Sequence, residues 1–301
     1  MTKYLSENAF NNSPYKALKV SSYFETYDLH LKPYFGKPVT VVEVGVLHGG
    51  SLFMWRELFG PQARIIGIDL NPNATKWRKY GFEIYIGNQE SPTFWSEFFG
   101  SVGNVDIVLD DGAHTNRAHL VTLFSCIPKV NNGGLILIED THTDFEQSFG
   151  NPSIISISNI GRNLTQLLTT YGNRNRKNDL INPISSIAFH ESIIVFRINR
   201  VSRLNSKAVV NLGILDNAKD FRNSGGQGLL EIDNKIRTRL SQKSMSRKKA
   251  KVQVSALKIY LQFRIFILKL DNLSLYFWFK KQMHKNQSIT RKNDSESRHQ
   301  K

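Results

Sequence analysis

The sequence predicts an α/β fold: a doubly wound, mostly parallel seven-stranded sheet with an antiparallel edge hairpin, followed by a basic, partly helical C-terminal tail. Three observations carry this expectation. Short β-branched runs alternate with helix-like stretches from Val39 onward, the pattern of parallel strands joined by crossover helices. Two of those runs, VDIVLDD and GLILIED, are almost continuously apolar and then end in paired acids. Central strands read this way when both faces are covered and the carboxyl ends open onto a ligand crevice. The last two runs are separated only by His190-Glu191, which suits a hairpin and not a crossover.

Taken in order, strands are expected at 39–45, 64–70, 82–87, 105–112, 134–141, 184–190 and 192–198, with helices in most of the gaps. Residues 1–38 read as a helical segment in which Tyr23, Tyr27 and Tyr34 recur at helical spacing and pack onto the domain. The domain itself spans 39–200. Residues 201–301 form an extension with a turn-rich piece (221–228), a cationic run (241–253), an aromatic amphipathic stretch (256–281) and a polar end.

Of the 301 residues, 40% are hydrophobic, enough for a large core, and the net charge is +15. That charge is unevenly placed. Residues 1–200 hold 18 basic and 18 acidic side chains, whereas 201–301 hold 22 and 7. A neutral domain with a basic tail argues against nucleic acid as the partner of the domain. The single cysteine, Cys126, forms no internal disulfide, and the N-terminus lacks the basic-then-apolar pattern of a secretory signal. A reducing cytoplasm is the expected setting. Lys258, Arg264, Lys269 and Asp271 interrupt the greasiest stretch, so no membrane span is expected.

The first strand runs into VVEVGVLHGGS, which sets Glu43 at its end and Gly45, Gly49, Gly50 and Ser51 through the turn into a helix. Gly45 suits a tight turn, and Gly49 and Gly50 would let a ligand approach the backbone. The spacing is not that of the dinucleotide fingerprint G-x-G-x-x-G, and an acid before the loop would repel a pyrophosphate. A ligand with hydroxyl and amino donors, a cationic centre and no phosphate fits better. Asp69, at the end of the second strand, is placed to accept from the vicinal hydroxyls of a ribose, or alternatively to cap the IDLNPN turn. Asn88 and Gln89 follow the third strand, where an adenine edge would lie.

Asp110-Asp111 and Glu139-Asp140 end two strands that lie side by side in such a sheet. Four carboxylates there would repel one another unless a cation sat among them. Oxygen ligands without thiolates favour Mg2+ or Mn2+, with open positions left for a bidentate diol. His114 follows Asp111 by three residues, and its imidazole, kept neutral by a nearby cation, would accept a hydroxyl proton. His142 is the competing base.

These motifs resemble the class I S-adenosylmethionine-dependent methyltransferases, which are Rossmann-like, over roughly residues 18–198. EVGVLHGGSLFMW, GIDLNP, DDGAH and GGLILIEDTH are similar to the magnesium-dependent sugar O-methyltransferases that tailor macrolide antibiotics, the mycinamicin and macrocin type. The resemblance implies S-adenosylmethionine and Mg2+ (or Mn2+) as cofactors. It implies Glu43, Gly45, Gly49, Gly50, Ser51, Asp69, Asn88, Gln89 and Asp110 on the cofactor side, Asp111, Glu139 and Asp140 as metal ligands, and His114 as the base. One departure is Asn88, where that family often carries Asp.

The expected activity is methyl transfer to a hydroxyl of a sugar or glycoconjugate, with acceptor-binding residues in the 141–182 region. Two alternatives stand beside it: a catechol or other vicinal-diol acceptor, and a nucleic-acid-binding protein acting through the tail. The cationic amphipathic tail also suits peripheral contact with an anionic membrane surface. A homo-oligomer is left open.

Overall fold

Seven strands form a single sheet in the order β3-β2-β1-β4-β5-β7-β6 in the computed structural model. The structure describes residues 3–151, 155–169 and 182–200, with scattered residues between 211 and 277. Residues 1–210 make one unit and 211–301 a second. The strands are β1 (Thr40–Val44), β2 (Arg64–Asp69), β3 (Glu83–Ile86), β4 (Val105–Asp110), β5 (Val130–Ile138), β6 (Ile184–His190) and β7 (Ile193–Ile198). β1 to β5 pair in parallel, and β7 runs antiparallel to both β5 and β6. The expected fold class is therefore the observed one. The hairpin places β7 inside the sheet and β6 at its edge.

β5 begins at Val130, four residues before its expected start, and its ladder with β4 shifts register between Val105 and Ile107. The intervening Asn131-Asn132-Gly133-Gly134 has turn composition, with Gly133 at φ +85°, yet the strand runs through it.

Six α-helices cover the faces: α1 (Leu5–Asn12), α2 (Tyr23–Leu31), α3 (Gly50–Phe59), α4 (Pro92–Val102), α5 (Asn116–Cys126) and α6 (Ile157–Thr169). Ser91 and Thr115 cap α4 and α5, their hydroxyls accepting from Phe94 N and Ala118 N. One core layer joins Val41, Leu109 and Leu137 of the strands to Tyr23, Tyr27, Trp55 and Phe59. The opposite layer joins Val42, Val108 and Ile136 to Trp95, Phe98, Leu123 and Cys126. The N-terminal segment is helical in two pieces. An irregular connector, residues 13–22, separates α1 from α2. Among the described residues no helix is long and apolar enough to cross a membrane. The runs 221–228 and 241–251 lie outside the described residues.

Candidate active site

Hydrogen bonding continues past the strand ends and fixes the site. Asp111 N donates to Val44 O at 3.0 Å and Glu139 N to Asp110 O at 2.9 Å, so both acid pairs stand on adjacent chains beyond β1, β4 and β5. A cavity of about 820 Å³ opens there, lined by Gly45, Asp69, Asn88, Asp111, His114 and Asp140 among others. Its size is that of a small-molecule site.

Alternation of side chains along each strand sorts the acids. Glu43, Asp111 and Glu139 follow Val41, Leu109 and Leu137 on the face covered by α2 and α3, whereas Asp110 goes to the other face. Between the first three lies a cation that the sequence analysis did not anticipate. Lys19 Nζ is 2.6 Å from Asp111 Oδ2, 2.9 Å from Glu139 Oε2 and 3.9 Å from Glu43 Oε1, and its side chain is 1% exposed. Burial opposes its charge, but Asp111 and Glu139 outweigh burial and hold the ammonium well above the ordinary lysine range. Glu43 is fully buried, accepts from Ser51 Oγ at 2.8 Å and Trp55 Nε1 at 2.9 Å, and is pushed up to about 7 by burial. Tyr27 and Tyr23 pack as expected, and their hydroxyls also donate to Glu139 (2.7 Å) and Asp140. Lys19 belongs to the irregular connector, where no periodic pattern marks it or separates it from Lys16.

On the cavity side a second group forms. Asp111, His114 and Asp140 each present a donor atom, all within 4.8 Å of one another. His114 Nε2 is 3.4 Å from Asp140 Oδ2 and 3.8 Å from Asp111 Oδ1. All three acids expected as metal ligands line the cavity with His114, and Glu139 is also held by Lys19 and Tyr27. Leu47, His114 and Asp140, at φ +45°, +54° and +52°, all line the cavity and occupy the left-handed region. Such conformations cost about 1–3 kcal/mol each and persist only where surroundings enforce them. For His114 the enforcement is visible: its carbonyl accepts from Thr143 Oγ1 at 2.8 Å and Asn151 Nδ2 at 3.4 Å. His142 is half exposed, pairs with Ser192 Oγ at 2.6 Å and does not line the cavity.

Several residues expected on the cofactor side stand behind the cavity wall: Glu43, Gly49, Gly50, Ser51 and Asp110. The two glycines answer to packing within the protein. A Cβ on Gly49 would overlap the Trp77 ring, and one on Gly50 would overlap the connector backbone at Tyr15 and Lys16. Gly45 does line the cavity, at φ +90°, and a Cβ there would overlap the Asp111 carbonyl. Asp110 Oδ1 accepts from Gln89 Nε2 at 2.9 Å, and Gln89 Oε1 from Ala113 N at 2.8 Å, so Gln89 braces the loop. Asp69 holds the turn, the second of the two roles expected for it, and lines the cavity. Its carboxylate accepts from Val46 N, Leu47 N and Asn71 N, which leaves about one of its four lone-pair positions for a ligand. Asn88 is exposed at the rim, its Oδ1 taken by Glu90 N and its amide nitrogen free to face a ligand edge.

A parallel sheet with an antiparallel β7, a glycine turn after β1 and an acid after β2 opens onto one cavity, the arrangement expected from the resemblance to class I S-adenosylmethionine-dependent methyltransferases. Residues 42–141 match the family model described as a methyltransferase domain. Over 132 residues the chain is 36% identical to a mycinamicin VI 2''-O-methyltransferase of Micromonospora griseorubida, covering 41% of this chain and 32% of the relative. Over 138 residues it is 33% identical to a rhamnosyl tetracenomycin-C 2'-O-methyltransferase of Streptomyces olivaceus, covering 43% and 36%. The matched region is thus about a third of the length of these relatives. A methyltransferase from the mycinamycin pathway, crystallised with Mg, SAH and mycinamycin VI, shares the fold at TM-score 0.59 and 24% identity, covering 74% of this chain and 58% of that one.

Proposed function

We propose that this chain is a metal-assisted, S-adenosylmethionine-dependent O-methyltransferase acting on a hydroxyl of a sugar or glycoconjugate. The observation that carries the reading is that Gly45, Asp69 and Asn88 on one side, and Asp111, His114 and Asp140 on the other, open onto the same cavity. S-adenosylmethionine would bring a sulfonium methyl, and its site fits: the remaining acceptor position of Asp69 suits one ribose hydroxyl, and the Asn88 amide suits an adenine edge. A divalent cation beside Asp111 and Asp140 would supply polarisation of the acceptor hydroxyl. His114 Nε2, facing the same space, accepts the proton that the hydroxyl loses. The strained backbone at 114 and 140 holds both donors aimed at the cavity before any ligand enters. The rhamnosyl tetracenomycin-C 2'-O-methyltransferase, whose acceptor carries a rhamnosyl group, supports a glycoside over a catechol acceptor.

The test is calorimetric titration of S-adenosylmethionine and S-adenosylhomocysteine with Mg2+ and with a chelator, followed by an acceptor screen. Both cofactor forms are expected to bind, and methyl transfer to a sugar is expected to be lost on chelation. Absence of binding by either form overturns the enzyme reading; transfer to catechols alone overturns the sugar.

A second reading concerns the tail alone, as peripheral contact with an anionic membrane surface. Val252, Ile259, Phe266 and Leu273 recur every seven residues, are helical and are 51–67% exposed. The same third of the chain carries the whole net charge of +15. Apolar exposure plus cationic excess is the composition that binds anionic lipid.

A further inference from the structure

We infer that His119 is a positioning residue for His114: a buried hydrogen-bond network that it anchors keeps the ring hydrogen of His114 on Nδ1 and leaves the Nε2 lone pair facing the cavity. The inference rests on the reading of His114 as the proton acceptor and adds what sets its tautomer. A neutral imidazole carries one hydrogen, and the nitrogen without it is the base. On the cavity side the ring meets two carboxylates, with Nε2 3.4 Å from Asp140 Oδ2 and 3.8 Å from Asp111 Oδ1. Those neighbours alone would draw the hydrogen to Nε2 and leave no lone pair for a hydroxyl proton. An acceptor behind the ring is needed to hold it on Nδ1.

Such acceptors are gathered there. Among the described residues nine buried side-chain nitrogens and oxygens lack a hydrogen-bond partner, and seven of them belong to Asp110, His114, Asn116, His119 and Asp144. Asn116 and His119 stand one turn apart at the start of α5, on the same helix face. His119 is 0% exposed, and its ring centroid is 6.2 Å from that of His114. Burial holds His119 below the ordinary histidine range against the pull of Asp110 and Asp144, so its ring is neutral at neutral pH. Each acid is tied by one oxygen, Asp110 Oδ1 to Gln89 Nε2 at 2.9 Å and Asp144 Oδ2 to Ser158 N at 2.9 Å, and has the other to offer.

Buried polar groups are nearly always hydrogen-bonded, and internal water joins those that protein atoms do not reach. The inventory then fixes the direction of the bonds. Asp110 Oδ2, Asp144 Oδ1, Asn116 Oδ1 and one nitrogen of His119 accept, whereas the Asn116 amide and the other His119 nitrogen donate. Apart from His114 the group is rich in acceptors and short of donors, and it is satisfied best when Nδ1 donates into it. The acids take the His119 hydrogen, which turns its lone pair toward His114 across a gap that one water spans.

The experiment is long-range 1H–15N correlation spectroscopy on the full chain labelled with 15N-histidine, in a chelator at about pH 8.5, well above the ordinary histidine range. The His114 resonances are assigned by their absence from His114→Gln. Wild type, His119→Leu and His119→Gln are compared, with S-adenosylhomocysteine affinity measured by calorimetry on the same samples. Wild-type His114 is expected to carry its hydrogen on Nδ1. His119→Leu is expected to move it to Nε2 in about half of the molecules or more, and His119→Gln, whose amide oxygen still accepts, to restore Nδ1. S-adenosylhomocysteine affinity is expected to stay within about twofold throughout. Hydrogen on Nε2 in wild type overturns the inference, and so does a leucine variant with the wild-type tautomer. A glutamine variant that behaves as leucine does also overturns it, because shape and not hydrogen bonding would then set the ring. If the leucine variant does not fold, His119→Phe, which keeps a ring in the site, is read in its place by the same criteria. S-adenosylhomocysteine binding by a wild type with hydrogen on Nε2 leaves the methyltransferase reading standing; absence of that binding overturns the reading whatever the tautomer, and the inference with it.

Discussion

His114 combines a left-handed backbone, a carbonyl gripped by Thr143 and Asn151, and a ring nitrogen 3.4 Å from Asp140. Substitution to alanine removes the proton acceptor and leaves Asp69 and Asn88 untouched, so turnover should fall by about 100- to 10,000-fold. S-adenosylhomocysteine affinity should stay within a few-fold; steady-state kinetics and calorimetry check the two halves. Gly45 makes a different demand. An alanine there would be held at φ +90° with its Cβ against the Asp111 carbonyl, which should cost at least about 2 kcal/mol and several degrees in Tm by thermal denaturation. Residue types at strand ends were legible in the sequence, because acids following apolar runs are conspicuous. Their directions were less so, since Glu139 and Asp140 adjoin in sequence but diverge once Asp140 enters the left-handed region. Lys19 was invisible because its partners lie 92 and 120 residues away.

At the scale of elements, α2 meets the β6–β7 hairpin through His30 and His190, whose Nε2 atoms are 2.8 Å apart. Burial, the neighbouring His190 and Arg197 together lower His30 to about 4. The unfolded chain takes up this proton near pH 6.5, the folded chain only near 4, so acid favours unfolding across that window. Stability associated with His30 is complete above pH 6.5 and is lost as pH falls toward 4. Partial exposure reduces the effect to about 1 kcal/mol, or roughly 2–4 °C. His30→Gln should flatten the Tm profile between pH 4 and 6.5 and leave it unchanged at pH 8. All seven strands were readable from their β-branched runs, yet the start of β5 was not. Asn131-Asn132-Gly133-Gly134 has the composition of a turn, and the flanking pairs with β4, the Arg197 and Tyr34 contacts to Gly133, and the bonds of Asn131 to Asp106 and of Arg200 to Asn132 hold it in the sheet. The connector between α1 and α2 was likewise hidden, because the spacing of Tyr23, Tyr27 and Tyr34 suggested a helix longer than the nine residues of α2.

At the scale of the whole molecule, charge is unevenly divided along the chain. The first 200 residues are balanced, and the basic excess belongs to the last hundred. If the tail meets anionic lipid, the full chain should co-sediment with vesicles containing phosphatidylserine and remain in solution with neutral vesicles. Replacing Arg247, Lys248, Lys249 and Lys251 by glutamine should weaken binding by about 1 kcal/mol per charge removed, and added salt should do the same. Equal sedimentation of the variant would remove the lipid reading without touching the catalytic one.

The alternation of faces that sends Glu43, Asp111 and Glu139 one way and Asp110 the other amounts to a reading frame written in the backbone. Each acidic doublet is a two-letter word, one letter for the interior and one for the cavity or loop. A single-residue loss between Leu135 and Ile138 would shift the frame, moving Asp140 toward the lysine and Glu139 into the buried position of Ile138, while composition and hydropathy hardly changed. The same loss among Asn131, Asn132 and Gly133 falls where the ladder already skips from Val105–Val130 to Ile107–Leu135, a slack joint able to take it up. Tolerance of length change along one strand should therefore switch abruptly at Gly134, and the chemistry of the site depends on which side of that residue the chain is cut.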